Sequence, residues 1–429
     1  MKNYLLIALI LPAVMACNHP HPITAHADYD PFLQPASLVS DNQTKQEIDF
    51  WATRLATHKN DEASLVKLAG LYAQRFRESG RINDIVTSDS LYNIALKDSL
   101  NSFVDIYQGL AVNAIAQHKF KSARDYAHAA IALKDNKASA LLQLVDVSIE
   151  LGDYAVARQL LNQITNKSSF AFLVRESKLK DQEGDLMAGI ELMERAYRRI
   201  QSNKVLAAWT LSNLADMYTH AGRIEEAYQL YLLVLRDNPD YDHALKGIAW
   251  IAISHDHNTT DSKKILQFLS ARKRMPEVYL MMAEAAGLEG NDEERTSHLR
   301  RFIQMASTPA YQTMYNRYLA VLAADEFDDA AGCVAIAKKE IANRPTPQSH
   351  ELLAWGYYKQ NNIDQALDVV RRHVERRTDE PIINYHLGMI YYGQGDASMS
   401  SHYLRKALTG KIELGPHVTK IIENTLEHL

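Results

Sequence analysis

Between residues 61 and 414 the sequence repeats one pattern. A run with apolar side chains three and four residues apart gives way to a short polar stretch rich in Gly, Asn and Asp, and a second such run follows. That spacing is the period of a helix with one buried face, and Gly and Asn tolerate the left-handed turn at which a helix ends. The stretches LLQLVDVSIELGDYAVARQLLNQI (141–164), LSNLADMYTHAGRIEEAYQLYLLVL (211–235), LLAWGYYKQNNIDQALDVVRRHV (352–374) and YHLGMIYYGQGDASMSSHYLRKAL (385–408) show it most clearly. Placing the turns at His118, Gly152, Gly184, Gly222, His255, Gly290, Asp325, Asn361 and Gly395 gives spacings of 34, 32, 38, 33, 35, 35, 36 and 34 residues. Such a chain folds as stacked helical hairpins, each burying its apolar face against its neighbours.

A period near 34 with this internal order resembles the tetratricopeptide repeat. In 208–241, Leu214, Ala215 and Tyr218 hold the first-helix packing positions and Gly222 the turn. Ala227, Tyr231 and Val234 follow in the second helix, which Pro239 stops. In 381–414 the same roles fall to Leu387, Gly388, Tyr391, Gly395, Leu404 and Ala407, with Ser400 where the repeat usually has Ala. Other units are worn: 170–207 carries Glu176, Ser177 and Lys180 where Leu, Gly or Ala, and Tyr are usual. The resemblance implies an all-α fold, a right-handed α-solenoid of about ten helix-turn-helix units over 61–414. Capping helices are expected at 37–60 and 415–429.

Ahead of the array the pattern changes. Residues 5–15, LLIALILPAVM, form an apolar run behind the positive Lys2. Eleven residues are too few for a permanent transmembrane helix, and the arrangement is that of a signal peptide. The end of the run, Val14-Met15-Ala16-Cys17, resembles a bacterial lipobox. The resemblance implies removal of 1–16, a lipid on the Cys17 thiol and, with Asn18 next, an outer membrane. A plain secretory signal with an incidental Cys is the alternative. Residues 17–36 hold four prolines within NHPHPITAHADYDPFLQPAS and no helical period, so they read as a flexible tether.

Composition narrows the function. Apolar residues at 47% allow a large core, and a net charge of −5 gives no electrostatic case for nucleic acid. Neither a phosphate-cradling glycine motif nor a nucleophile or HExxH zinc motif occurs, so no enzyme, cofactor or catalytic residue is assigned. His255, Asp256 and His257 place metal-ligand types together, yet without a further ligand they read as a polar turn and no metal site is assigned. Cys333 lies in a small-residue helical run and reads as a buried hydrophobe.

By the same resemblance the first helix of each unit lines a concave groove, through its second, fifth, sixth, ninth and twelfth positions. Trp209 falls at the second position, and Trp250 and Trp355 at the ninth. Tyr358, Tyr385, His386, Met389 and Tyr392 extend an aromatic set in the C-terminal third. That set either faces a partner or packs between helices. Arg175, Lys178, Asn213 and Asp216 form a polar patch, but the acid at 216 spoils a clamp for a peptide carboxylate. The expectation is a lipid-anchored scaffold of the cell envelope that binds protein partners or peptide segments. A carrier or assembly factor for envelope proteins or glycans is the alternative.

Overall fold

The structure, a computed structural model, describes residues 21–34, 39–58, 61–98, 104–133 and 137–429. Among these residues the chain is helical and contains no strand. A single helical turn, α1 (His26–Tyr29), precedes α2 (Val39–Thr57). Ten hairpins follow. They are α3 and α4 (Glu62–Ser79, Ile82–Asp98), α5 and α6 (Val104–Ala116, Phe120–Ala132), α7 and α8 (Lys137–Glu150, Tyr154–Asn162), α9 and α10 (Phe170–Gln182, Leu186–Ile200), and α11 and α12 (Lys204–His220, Ile224–Asp237). The second five are α13 and α14 (Asp242–Ser254, Thr259–Arg272), α15 and α16 (Pro276–Leu288, Asp292–Ala306), α17 and α18 (Asn316–Asp325, Ala330–Asn343), α19 and α20 (Pro347–Lys359, Ile363–Val369), and α21 and α22 (Pro381–Gln394, Ala397–Ala407). α23 (Lys411–Glu427) ends the chain. Each helix packs chiefly on the next, so the molecule is an α-solenoid.

One backbone device makes every hairpin. The first helix ends on a residue of positive φ: Gly80, His118, Gly152, Gly184, Gly222, His257, Gly290, Asp328, Asn361 or Gly395. In most units the next N–H then reaches back five residues to a carbonyl of the first helix, as Arg223 does to Tyr218 and Asp396 to Tyr391. That next residue is often Asp or Asn, and its side chain caps the second helix: Asp185 accepts from Ala188, Asn291 from Glu294 and Asp396 from Met399. Two turns depart from the expected positions. Asn258 reaches back six residues to Ala252 and Asp329 six to Ala323, so these turns are one residue wider. Their left-handed residues are therefore His257 and Asp328, not His255 and Asp325.

Small residues let the helices close. Ala215 and Ala227 are fully buried, and a Cβ on Gly247 would come 2.3 Å from the Tyr231 ring. Around them Leu211, Leu214, Tyr228, Tyr231 and Ile248 join the largest apolar cluster. In the worn fourth unit Ser177 is buried, and its hydroxyl donates to the Gly189 carbonyl at 2.7 Å, so a polar residue sits in the core with its bond made.

The solenoid winds tightly enough to touch itself. Asn343 Nδ2 and Thr313 Oγ1 both donate to the His118 carbonyl, at 2.7 and 3.2 Å. Arg344 reaches Glu150 at 3.4 Å across 194 residues, and its guanidinium lies 5.3 Å above the Phe120 ring. Tyr311 is buried with Ile82 and Ile85. Turns of the early hairpins thus rest on connections of the late ones.

The N-terminal segment corrects the tether expectation. Residues 21–34 are packed on the second helices α12 and α14, and Tyr29 is wholly buried. The physical reason is apolar area: Ile23, Phe32 and Leu33 pack beside Tyr29 on the largest cluster, and burying one such side chain contributes about 2 kcal/mol. Cys17 and the rest of 1–20 lie outside the described residues, as do residues 35–38.

Gly222 isolates the turn device, because a Cβ there would meet no atom within 4 Å while its φ is +74°. Gly222→Ala is expected to lower stability by ~1 kcal/mol through backbone strain alone. Denaturant unfolding followed by circular dichroism measures it, and Gly222→Asn should lose less.

Candidate functional site

The first helices of the array carry the candidate surface. On α11, Asn203 caps the helix start by accepting from the Leu206 N–H at 3.1 Å. Val205, Trp209 and Asn213 then recur every four residues and share one face. Val205 is 78% exposed and Trp209 39%. Phe170, held at the start of α9 by the Ser169 cap, stands edge-on to Trp209 at 6.3 Å. Asn213 donates to the Trp209 carbonyl at 2.7 Å. One turn further on, Asp216 accepts from the Tyr231 hydroxyl and pairs with His243 at 2.8 Å. The exposed element is therefore apolar at its start and polar at its end. Phe170 and Val205 were missed from the sequence, although Val205 lies one helical turn from Trp209.

Trp250 faces the chain's own C-terminus. α23 packs not only on α21, as a cap does, but also on α11, α13 and α15. Trp250 Nε1 donates to the Ile412 carbonyl at 2.9 Å, and Glu284 accepts the His417 N–H at 2.8 Å. Between them Gly415 breaks the helix with φ +76°, and a Cβ there would lie 2.8 Å from Glu284 Oε1. Only glycine allows that approach. Burial under this segment pushes the Glu284 carboxyl above the ordinary carboxylate range, against the pull of the His417 N–H. The middle of the groove thus already holds a peptide in cis.

The aromatic set of the C-terminal third divides. Trp355 is 2% exposed, and its indole donates to Asp325 at 2.9 Å. It stacks on His386 at 3.9 Å and on Tyr358 at 5.0 Å. Tyr385 and His386 are buried too, and His386 bonds the equally buried Glu351. These three side chains pack between α19 and α21 and present no wall to a partner. The reason is packing between adjacent units: the Trp355, Tyr358, Tyr385 and His386 rings stack on one another across α19 and α21, and Asp325 at the end of α17 holds the indole. Tyr358 and Met389 are half-buried, Met389 taking the Thr425 hydroxyl of α23 at 3.8 Å. Tyr392 alone of the set is exposed, at 42%.

Charges along the first helices are spent on neighbouring units. Arg175 pairs with Asp146 at 2.7 Å and Lys178 with Glu150 at 2.6 Å. Neither is placed to clamp a peptide carboxylate, because each is already committed to a carboxylate of the preceding unit. Among the described residues no group of three His, Cys, Asp or Glu side chains is arranged to hold a metal ion. Cys333 is buried, which pushes its thiol up to about 12, so it is no nucleophile.

Profiles of the tetratricopeptide repeat match residues 114–169, 207–237, 347–372 and 382–409. The chain carries tetratricopeptide repeats, and its fold is the all-helical solenoid they build. No functionally curated protein matches the sequence. Among solved structures, the chain is similar to the human IFIT1 dimer with PPP-AAAA at 14% identity and TM-score 0.44, over 84% of this chain and 88% of that one. It is similar to a tetratricopeptide repeat protein from Parabacteroides merdae at 16% identity and TM-score 0.34, over 67% and 96%. It is also similar to Pseudomonas aeruginosa pilF at 11% identity and TM-score 0.37, over 49% and 96%.

The two kinds of tryptophan separate by stability. Trp355→Ala is expected to cost ~3–5 kcal/mol, as emptied aromatic core sites do. Trp209→Ala should cost under about 1 kcal/mol. Denaturant midpoints of the two variants against the parent chain check both values.

Proposed function

We propose that the chain is a protein-interaction scaffold held at a membrane of the bacterial cell envelope by lipid on Cys17. A partner's peptide segment docks on Val205, Trp209, Asn213 and Phe170. The observation that supports the docking site is a half-exposed tryptophan with an exposed valine one turn away, in an array whose other first-helix tryptophans are covered. Tryptophan is the side chain most often found at the energetic centre of an interface, since it offers large area at little entropic cost. An amphipathic or extended segment laid along α11 would bury the ring of Trp209 and find hydrogen-bonding groups at Asn213 and Asp216. The array supplies rigidity, and the lipid confines it to a surface.

The anchoring part rests on residues 5–17. The apolar run is of signal-peptide length, the small Ala16 fits a peptidase subsite, and a thiol is what a thioether to lipid requires. Two or more acyl chains hold a protein stably, where one chain gives only reversible binding.

Cys17→Ser is expected to move the protein out of the membrane fraction or leave the precursor uncut. Fractionation identical to the parent contradicts the anchor. Trp209→Ala should cut recovery of a specific partner from solubilised envelopes at least about tenfold, as loss of an interface centre does. Undiminished recovery contradicts the docking site, and many weak clients in place of one would favour a carrier or assembly role.

A further inference from the structure

The packed N-terminal segment marks a second site, on the opposite helices of the hairpins. Its floor is built by α12, α14 and the wide turn before α14. The carboxylate of Asp256, on that turn, accepts two successive backbone N–H groups, Ile23 at 2.9 Å and Thr24 at 2.8 Å, and the Thr24 hydroxyl at 2.6 Å. Its remaining partner is His255 at 2.7 Å. The phenol of Tyr228 then takes the Ala25 N–H and donates to Asp28, both at 3.1 Å. Lys264 closes the site on Asp30 at 2.6 Å. Between these polar ends Tyr29 enters the apolar cluster completely.

Three features set this contact apart from ordinary packing. The segment belongs to no hairpin, and its own backbone bonds are local, Asp28 N–H to Ala25 and Leu33 N–H to Asp30. Its departure would break no bond inside a repeat. Asp256, whose side chain is wholly covered, would keep only its neighbour His255. Two successive N–H groups and a hydroxyl on one carboxylate are a set that a main chain brings, and water would replace all three if the segment left. Such a carboxylate recognises a main chain, and the Tyr29 pocket adds the side-chain selection.

We propose that Tyr228, Asp256 and Lys264 form a peptide-binding site on the second helices, occupied in cis by residues 23–33. Its outside ligand is a peptide segment of the same chemistry. That ligand runs extended through two residues with free N–H groups, the second bearing a hydroxyl. A tyrosine follows about five residues on, inside a helical turn and flanked by acids. The site is distinct from the Trp209 face and stands whether or not Cys17 carries lipid.

A tethered segment acts at an effective concentration of order mM, so where the contact itself is of micromolar strength the cis occupant shields the site by roughly a thousandfold. The probe is a fluorescein-labelled synthetic peptide of residues 21–34, and the readout is anisotropy with the full chain. The Tyr29→Ala chain, whose own segment is weakened, should bind the peptide at least about tenfold more tightly than the parent. The Thr24→Pro chain, which loses one N–H and the hydroxyl without emptying the core, should do the same. Adding Asp256→Ala to either variant should abolish the gain. Equal binding by parent and both variants overturns the proposal. So does loss of the folded array in both variants, since the segment would then be a fixed part of the fold.

Discussion

Each hairpin depends on one residue held in the left-handed region at the end of its first helix. From it follow the bond that closes the first helix, the Asp or Asn that caps the second, and the angle at which the two helices meet. Where the residue is glycine, as at Gly222 or Gly395, the conformation is free of strain. Where it is His118, Asp328 or Asn361, the chain accepts a local cost that packing must offset. Small residues at Ala215, Ala227 and Gly247 then set how closely helices approach, and that spacing sets the winding of the solenoid.

The winding decides which faces remain available. Because late connections rest on early turns through His118, Glu150 and Arg344, the concave side is confined. The chain fills part of it with residues 411–417 and covers part of the opposite side with residues 23–33. Val112, Tyr318 and Tyr392 stand exposed singly on α5, α17 and α21, whereas at the start of α11 two exposed apolar side chains, Val205 and Trp209, lie one turn apart and clear of both termini. A repeat array usually offers a continuous groove. This one offers a short stripe, and the peptide-like contacts its own ends make are evidence of what its surfaces accept.

Much of the fold was legible beforehand, because a period near 34 residues and the turn residues report local physics. Leu214, Tyr218 and Leu404 lie in the core as their spacing requires. The two misplaced turns, at His257 and Asp328, each hold one extra residue that no periodicity reveals. The groove was less legible. Trp355, Tyr385 and His386 occupy groove positions by register, yet their stacking on one another across neighbouring units puts them inside. Tyr29 sat in a proline-rich stretch with no helical period, and only contact with Tyr228 and Asp256 some 200 residues away orders it. Both errors have one cause: long-range contacts are absent from a local pattern.

On the proposed reading a partner docks on the α11 stripe and not on the C-terminal aromatic cluster. Photo-crosslinking in intact cells tests it most directly, with a photoreactive amino acid placed at position 209 in one strain and at position 355 in another. A discrete adduct to another protein is expected from position 209 and none from position 355. The same adducts from both positions, or an adduct from 355 alone, would contradict it.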